Sequence, residues 1–259
     1  MFFTRHQGLT YACFSNLSAC PDVFHAIFTR LDHGSPPISE ETDFSTEDST
    51  RENRSRAARC TGAADLVFLS QVHGTAVSVI SSPADFHEAV ANPPEADAAI
   101  SCLAGAGLAV RTADCQAVLL HDPVCRTTAA IHSGWRGSIA DIIGRCIHAM
   151  KQKLGTDPAN LVAGIGPSLG PCCAEFVHYE TEIPEKFWKY KDAQHRFDFW
   201  QISMDQLRAA GVRESQIELS HICTRCNPRL FFSYRGEKTT GRMAAVIGLK
   251  KEEYRTQYE

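Results

Sequence analysis

The chain opens on loosely alternating apolar and polar positions, which predict β-strands around Leu9–Phe14 and Val23–Phe28. From Asp32 to Arg59 the pattern changes. Ser, Thr, Glu, Asp and Arg dominate and large apolar residues almost vanish. Residues 32–59 are therefore expected to form a long polar surface loop, closing with a short polar helix near Glu52–Ala58. Short apolar runs follow. Leu66–Val72 and Ala76–Ile80 read as strands around a His73–Gly74 turn, and Ser81–Glu95, with Pro83, Pro93 and Pro94, reads as loop. Ala98–Ser101, Gly107–Arg111, Ala117–His121 and Thr128–His132 are four more β-rich stretches separated by turn residues. The clearest helix is Ser138–Leu154. Ile139, Ile142, Ile143, Cys146, Ile147, Met150 and Leu154 form one apolar stripe, with Ser138 as N-cap and Gly155 and Pro158 beyond the end. Leu161–Ile165 reads as a buried strand, Glu185–Tyr190 and Met204–Ala210 as helices, the second capped by Ser203. Ile217–Leu219 and Met243–Leu249 complete the strands. No internal repeat or low-complexity linker divides the chain, so a single mixed α/β domain over residues 1–259 is expected.

Composition narrows the function classes. The formal charge is −4, from 26 Lys plus Arg against 30 Asp plus Glu, which argues against general nucleic-acid affinity. No apolar run approaches a membrane span, so no membrane partner is expected. The chain holds 11 Cys and 11 His. An odd number of Cys in a chain this long is not a disulfide framework. Met1–Phe3 runs into Thr4, Arg5 and His6 without an apolar leader, and free thiols suit a reducing compartment, so a cytoplasmic location is expected.

Three segments share one design. Gln71-Val72-His73-Gly74 and Ile131-His132-Ser133-Gly134 each put a histidine at a strand end, and Thr112-Ala113-Asp114-Cys115 puts a cysteine there. Strand ends converge on a common cleft. Two imidazoles and a thiolate suit Zn²⁺, and three protein ligands leave a fourth position open, as in catalytic sites. The separations of 42 and 17 residues match no regular metal motif. From spacing alone each histidine could equally satisfy a local hydrogen bond, with Cys115 a buried hydrophobe. Gly134-Trp135-Arg136-Gly137 leads into the strong helix, where free N–H groups and Arg136 suit an anion, or where Trp135 simply packs. Gly164–Glu175 is rich in glycine and proline and suits a substrate-lining loop, with Glu175 a candidate proton carrier. Adjacent Cys172 and Cys173 cannot readily pair with each other. Cys223-Thr224-Arg225-Cys226 has no second C-x-x-C and reads as mainly structural. Phe231-Phe232-Ser233-Tyr234-Arg235 offers an aromatic wall and a cation, although core packing accounts for the two Phe residues more simply.

Five motifs occur in order: Gln-Val-His-Gly, Thr-Ala-Asp-Cys, His-x-Gly-Trp-Arg-Gly, Gly-Pro-x-x-Gly-Pro-Cys-Cys-x-Glu and Phe-Phe-Ser-Tyr-Arg followed by Thr-Gly-Arg-Met-Ala. Together they resemble the family once called multicopper polyphenol oxidase (laccase domain) and now regarded as purine nucleoside phosphorylases with adenosine deaminase activity. The resemblance runs from Val23 to Leu249. Phe28-Thr29-Arg30 also fits, whereas Leu31-Asp32-His33-Gly34 departs from the usual paired glycines.

The resemblance implies a layered α/β/β/α fold with mixed β-sheets and a zinc site on His73, Cys115 and His132. It implies purine nucleosides and phosphate as substrates, methylthioadenosine among them. Asp114 or Glu175 would carry protons. Arg30, Arg136 and Arg235 would bind phosphate, with Trp135 or Phe232 stacking on the purine. Copper is disfavoured on ligand count: a multicopper oxidase needs a histidine-rich trinuclear cluster, and this chain has no His-x-His pair. Two alternatives remain at this level: an amidase editing a UDP-muramyl-amino acid precursor, and a non-catalytic nucleotide-binding protein.

Overall fold

Alternate residues of a β-strand point to opposite faces, so a strand covered on both sides needs apolar residues at every position. The strand Gln116–Asp122 is of this kind, with all seven residues buried. Ala117 and Leu119 face one core, and Val118 and Leu120 another. The computed structural model describes residues 1–32, 42–45 and 47–251. The His33–Gly34 position, where the family pattern is interrupted, lies outside them.

Among the described residues, twelve strands form two mixed sheets. In chain order they are β1 (Phe2–His6), β2 (Leu9–Cys13), β3 (Val23–Asp32), β4 (Asp65–Phe68), β5 (Val77–Ile80), β6 (Ala98–Ser101), β7 (Ala106–Thr112), β8 (Gln116–Asp122), β9 (Thr127–Ser133), β10 (Val162–Ile165), β11 (Ile217–Leu219) and β12 (Met243–Leu249). The first sheet has the order β1-β2-β3-β12-β7-β4 and the second β11-β10-β8-β9-β6-β5. Pairing is antiparallel except at β4–β7, β5–β6 and β10–β11, which lie at sheet edges.

The two sheets face each other across a core that includes Phe14, Ile27, Val110 and Ile247 from one side and Ala99, Leu119 and Ala130 from the other. The second sheet's outer face is covered by the helices Ile142–Leu154 and Phe199–Ala209. The first sheet's outer face packs Phe24, Phe28 and Phe68 against Phe44 and the helix Glu47–Thr61. The layers are therefore α/β/β/α, as the resemblance implied.

Several local expectations change. The polar 32–59 segment contains more order than a loop: its helix spans Glu47–Thr61. Among its described side chains, Ala57 and Ala58 are buried in the core with Cys60 packed beside them, helped by Asn53 Nδ2 donating to the Asp43 carbonyl and Arg54 pairing with Asp65. Ser81–Glu95 is not simply loop. Pro83 opens a helix, Pro83–Ala91, behind a Ser82–Asp85 capping box, because proline lacks the N–H that a first turn cannot satisfy anyway. The Ser138–Leu154 helix is broken. A short turn, Trp135–Ile139, precedes Ile142–Leu154, whose N-cap is Asp141 in a left-handed conformation, its carboxylate accepting from the Gly144 N–H. Ser138 instead bonds Ser133. The later helix starts at Phe199 behind Asp198, and Ser203 is buried inside it, donating to Gln116. Glu185–Tyr190 is a 3₁₀ helix. Strand β1 has no buried face and so left no hydrophobic pattern to read.

Within the first sheet, buried His25 accepts the Phe14 N–H on Nε2 at 2.8 Å and stacks on the Phe14 ring. Burial depresses its pKa from 6.5 to about 4. The unfolded chain therefore binds the proton first, and stability present above pH 6.5 is lost as pH falls toward 4. The loss is on the order of 3 kcal/mol at most. Chemical denaturation of the wild type across this window should show that component, and His25→Gln should remove it.

Candidate metal centre and its cleft

Two of the links that cross between the two sheets meet at one end of the sandwich and carry candidate ligands. Residues 69–76 link β4 to β5 and carry His73; residues 113–115 link β7 to β8 and carry Cys115. His132 lies at the end of β9, opposite Ala117 of β8. These crossovers need sharp backbone turns, and His73 and Asp114 take positive φ values of 60° and 88°. The result is convergence. Cys115 Sγ lies 3.7 Å from His73 Nε2, and the His73 and His132 rings meet edge to face at 4.8 Å. One ligand atom from each of the three lies within 4.8 Å of the others. Gly134 permits this: a Cβ there would meet His73 Cδ2 at 2.7 Å and Cys115 Sγ at 3.2 Å.

A residue absent from the sequence-level candidates holds the assembly. Asp97 is fully buried and lies 2.7 Å from His132 Nδ1. It also accepts the backbone N–H groups of Val72, His73 and Gly74, at 3.3, 3.0 and 2.6 Å. Burial opposes ionisation of Asp97, but the bonds from His132 and the backbone outweigh it and hold the carboxyl below its usual range. An ionised Asp97 makes Nδ1 the protonated nitrogen of His132 and leaves Nε2 for the cleft. Burial also pushes the Cys115 thiol up, yet hydrogen bonds from His132 and His73 reverse this and bring it down to about 6. Burial would lower His132, but its bond to Asp97 and then its contact with Cys115 raise it to about 9. Cys115, the His73 ring and the His132 ring held by Asp97 form a donor set suited to a divalent metal, which would displace the Nε2 proton of His132 on binding.

The three ligands open on a cleft of about 620 Å³. Its wall includes Asp114, Trp135, Arg136 and Arg235, four of the candidates read from the sequence. Arg136 lies over the Trp135 ring at 4.5 Å, Trp135 meets Phe176 edge-on, and Arg235 lies over Phe176. Asp114 is the sole carboxylate on this wall among the described residues. Its oxygens accept from Thr224 Oγ1 and the Arg235 N–H, each at 2.6 Å. Three candidates lie elsewhere. Phe232 is buried in the core with Arg30 over its ring, so its face is not offered to a ligand. Arg30 also pairs with Glu237. Glu175 is exposed off the cleft wall, its backbone carbonyl accepting from Arg235 Nη1. The expected helix N-terminus after Gly137 is also displaced, because the long helix starts at Ile142.

Two arginines not among the candidates, Arg111 and Arg242, line the cleft. Burial and then the charge of Arg242 lower the Arg111 pKa. Gln71 exchanges two hydrogen bonds with the Arg111 backbone and so ties the His73 loop to β7.

Residues 24–250 match the sequence family described as multi-copper polyphenol oxidoreductase laccase. The chain belongs to this laccase family. It is 34% identical over 207 residues to "Purine nucleoside phosphorylase SCO2081" of Streptomyces coelicolor, covering 76% of this chain and 81% of that protein. It is 32% identical over 202 residues to "Purine nucleoside phosphorylase YlmD" of Geobacillus stearothermophilus, covering 72% and 73%. In three dimensions it resembles the Bacillus licheniformis hypothetical protein YfiH, with a TM-score of 0.82, 25% identity and coverage of 96% and 99%. Among the described residues of this laccase-family chain, the donors assemble into one His–Cys–His set and one group of four cysteines. Neither is the histidine-rich donor set of a multi-copper cluster. No helix among the described residues is long and apolar enough to cross a membrane.

If Asp97 orients the ligands, Asp97→Asn should weaken Zn²⁺ binding by about 10–100-fold. A competition titration against a chromophoric chelator reads this directly. Unchanged affinity would assign Asp97 to the fold alone.

Proposed function

We propose that the chain is a zinc-dependent purine nucleoside phosphorylase that cleaves a purine nucleoside with phosphate, and that the same cleft deaminates adenosine and accepts methylthioadenosine. The observation that carries this reading is a three-ligand His–Cys–His set opening on a cleft with four arginines. The names of the relatives support the phosphorylase reading. Zinc rather than multi-copper chemistry is proposed on ligand count: one three-ligand site with an open position suits catalytic zinc and cannot build a histidine-rich trinuclear cluster.

Bound at His73, Cys115 and His132, zinc would supply Lewis-acid chemistry at the open fourth position. The chain's own residues do the rest. Arg111 and Arg242 bring two like charges into one part of the cleft, an arrangement that an anion relieves. They are assigned to phosphate together with Arg136 and Arg235. Trp135 and Phe176 are assigned to the purine as an aromatic wall of the cleft, with Arg136 over the one ring and Arg235 over the other. Asp114 is assigned proton transfer. Its carboxylate would hold the proton passed to the departing purine nitrogen or to ammonia. It is preferred to Glu175 because it lies on the cleft wall.

Purified protein with adenosine and phosphate should release adenine and ribose-1-phosphate; without phosphate it should yield inosine and ammonia. His73→Ala should abolish both and lose one equivalent of zinc. Full turnover by that variant without metal would overturn the assignment, and cleavage of a UDP-muramyl amide with no change in any nucleoside would support editing instead. Arg242→Ala should raise the KM for phosphate by about 10–100-fold, the value of one charge-assisted contact. Its KM for nucleoside should change little.

A further inference from the structure

Four cysteines outside the cleft meet at one point. Cys172 and Cys173 follow the glycine-rich loop after β10, and Cys223 and Cys226 form the C-x-x-C segment. The two pairs are some 50 residues apart in sequence, as the separations of 53 and 54 to Cys226 show. The backbone aligns them. Ser168 N–H donates to the Ile222 carbonyl and Thr224 N–H to the Ser168 carbonyl, making a short parallel bridge beside Cys223. Each loop is also tied within itself. Cys173 N–H donates to the Gly170 carbonyl, and Asn227 Nδ2 donates to the Cys223 carbonyl.

The sulfur geometry is that of a coordination shell. Cys226 Sγ lies 3.6 Å from Cys172 Sγ and 3.5 Å from Cys173 Sγ, and all four sulfurs lie within 4.8 Å of one another. A tetrahedral Zn²⁺ with bonds of about 2.3 Å sets its sulfurs about 3.8 Å apart. Bonded sulfurs would sit at about 2.05 Å, and all four thiols are free.

We propose that Cys172, Cys173, Cys223 and Cys226 form a second, four-thiolate zinc site with a structural role. Four protein ligands close the coordination sphere and leave no open position for substrate. Soft thiolate donors favour zinc over magnesium or calcium. Binding would release the thiol protons and join the two loops. The site acts on the cleft at one remove. Thr224, inside the C-x-x-C segment, donates to Asp114, and Ser168, in the partner loop, accepts from Trp200. The proposal is independent of the function assigned to the cleft.

The test is zinc stoichiometry and ligand identity on the full chain, purified under reducing conditions and supplied with Zn²⁺. Wild type should bind two equivalents. Cys172→Ser/Cys226→Ser should bind one fewer, and His73→Ala should retain the site. After Co²⁺ replacement, the strong sulfur-to-cobalt charge-transfer absorption should survive in His73→Ala and fall sharply in the double variant. Zinc X-ray absorption on His73→Ala needs no cysteine substitution, so it reads the site even if the double variant fails to fold. A shell of four sulfurs supports the proposal. A shell dominated by nitrogen or oxygen overturns it, as does a double variant with wild-type zinc content and cobalt spectrum. A Cys172–Cys226 or Cys173–Cys226 disulfide in the reduced protein, mapped by mass spectrometry, would also overturn it. Loss of one equivalent of zinc from His73→Ala bears only on the cleft, whereas loss of both overturns the proposal.

Discussion

Asp97 is a carboxylate with no exposed surface, and burying such a charge is costly unless every lone pair is engaged. Here three consecutive backbone N–H groups and one imidazole engage it. The arrangement works in both directions. The N–H groups stabilise the charge, and the charge pins a turn whose central residue, His73, has a positive φ. The link to His132 fixes the second histidine from the same anchor. The spatial relation between β4–β5 and β9, and so the shape of the His–Cys–His set, depends on this side chain. Gly134 then supplies the remaining condition, an absent Cβ where His73 and Cys115 come closest.

The four-layer architecture explains which parts of the fold were legible in the sequence. Central strands such as β8 and β9 are buried on both faces, so they appear as apolar runs with clear ends. Strand β1 lies at an edge with little buried surface, and the Glu47–Thr61 helix buries chiefly two alanines, so neither leaves an apolar signature. Proline explains the error at Pro83–Ala91: the residue that breaks a helix interior is favoured at its first position, and the Ser82–Asp85 pair was the sign to read. The continuous stripe from Ile139 to Leu154 conceals the break at Asp141, because side-chain periodicity carries no record of a local left-handed residue.

The candidate site divides in the same way. His73, Cys115 and His132 were visible because each sits beside turn residues at a strand end, although spacing alone left them ambiguous. Asp97 and Arg111 were not visible. Asp97 falls just before β6, close behind Glu95 at the end of a segment that reads as loop, and Arg111 is a single charge within β7; neither marks a motif or a partner. Arg242, one residue before β12, was quoted only as part of the family pattern. Its role emerges when β12 pairs with β7 and sets Met243 opposite Thr112, bringing Arg242 to the cleft end. The four cysteines were misleading for a related reason. A search for a second C-x-x-C cannot find a site whose other half is an adjacent pair on a different loop.

Asp114 shows how the cleft and its surroundings are coupled. It sits beside Cys115 in the crossover from β7 to β8, with a φ of 88° that costs energy for any residue with a Cβ. Its two oxygens recover part of that cost by bonding Thr224 and the Arg235 backbone. Those bonds hold the loop bearing the C-x-x-C segment and the short helical turn after Ser233 against the cleft. A change at Asp114 therefore alters proton transfer and cleft shape together, and the rate alone cannot separate them. The separating variable is pH. Loss of a proton carrier changes the shape of the pH–rate profile, whereas a displaced wall lowers the rate across the whole range. Thr224→Val removes the wall contact and leaves the carboxylate in place, so it should lower activity while keeping the limb of the pH–rate profile that Asp114→Asn removes.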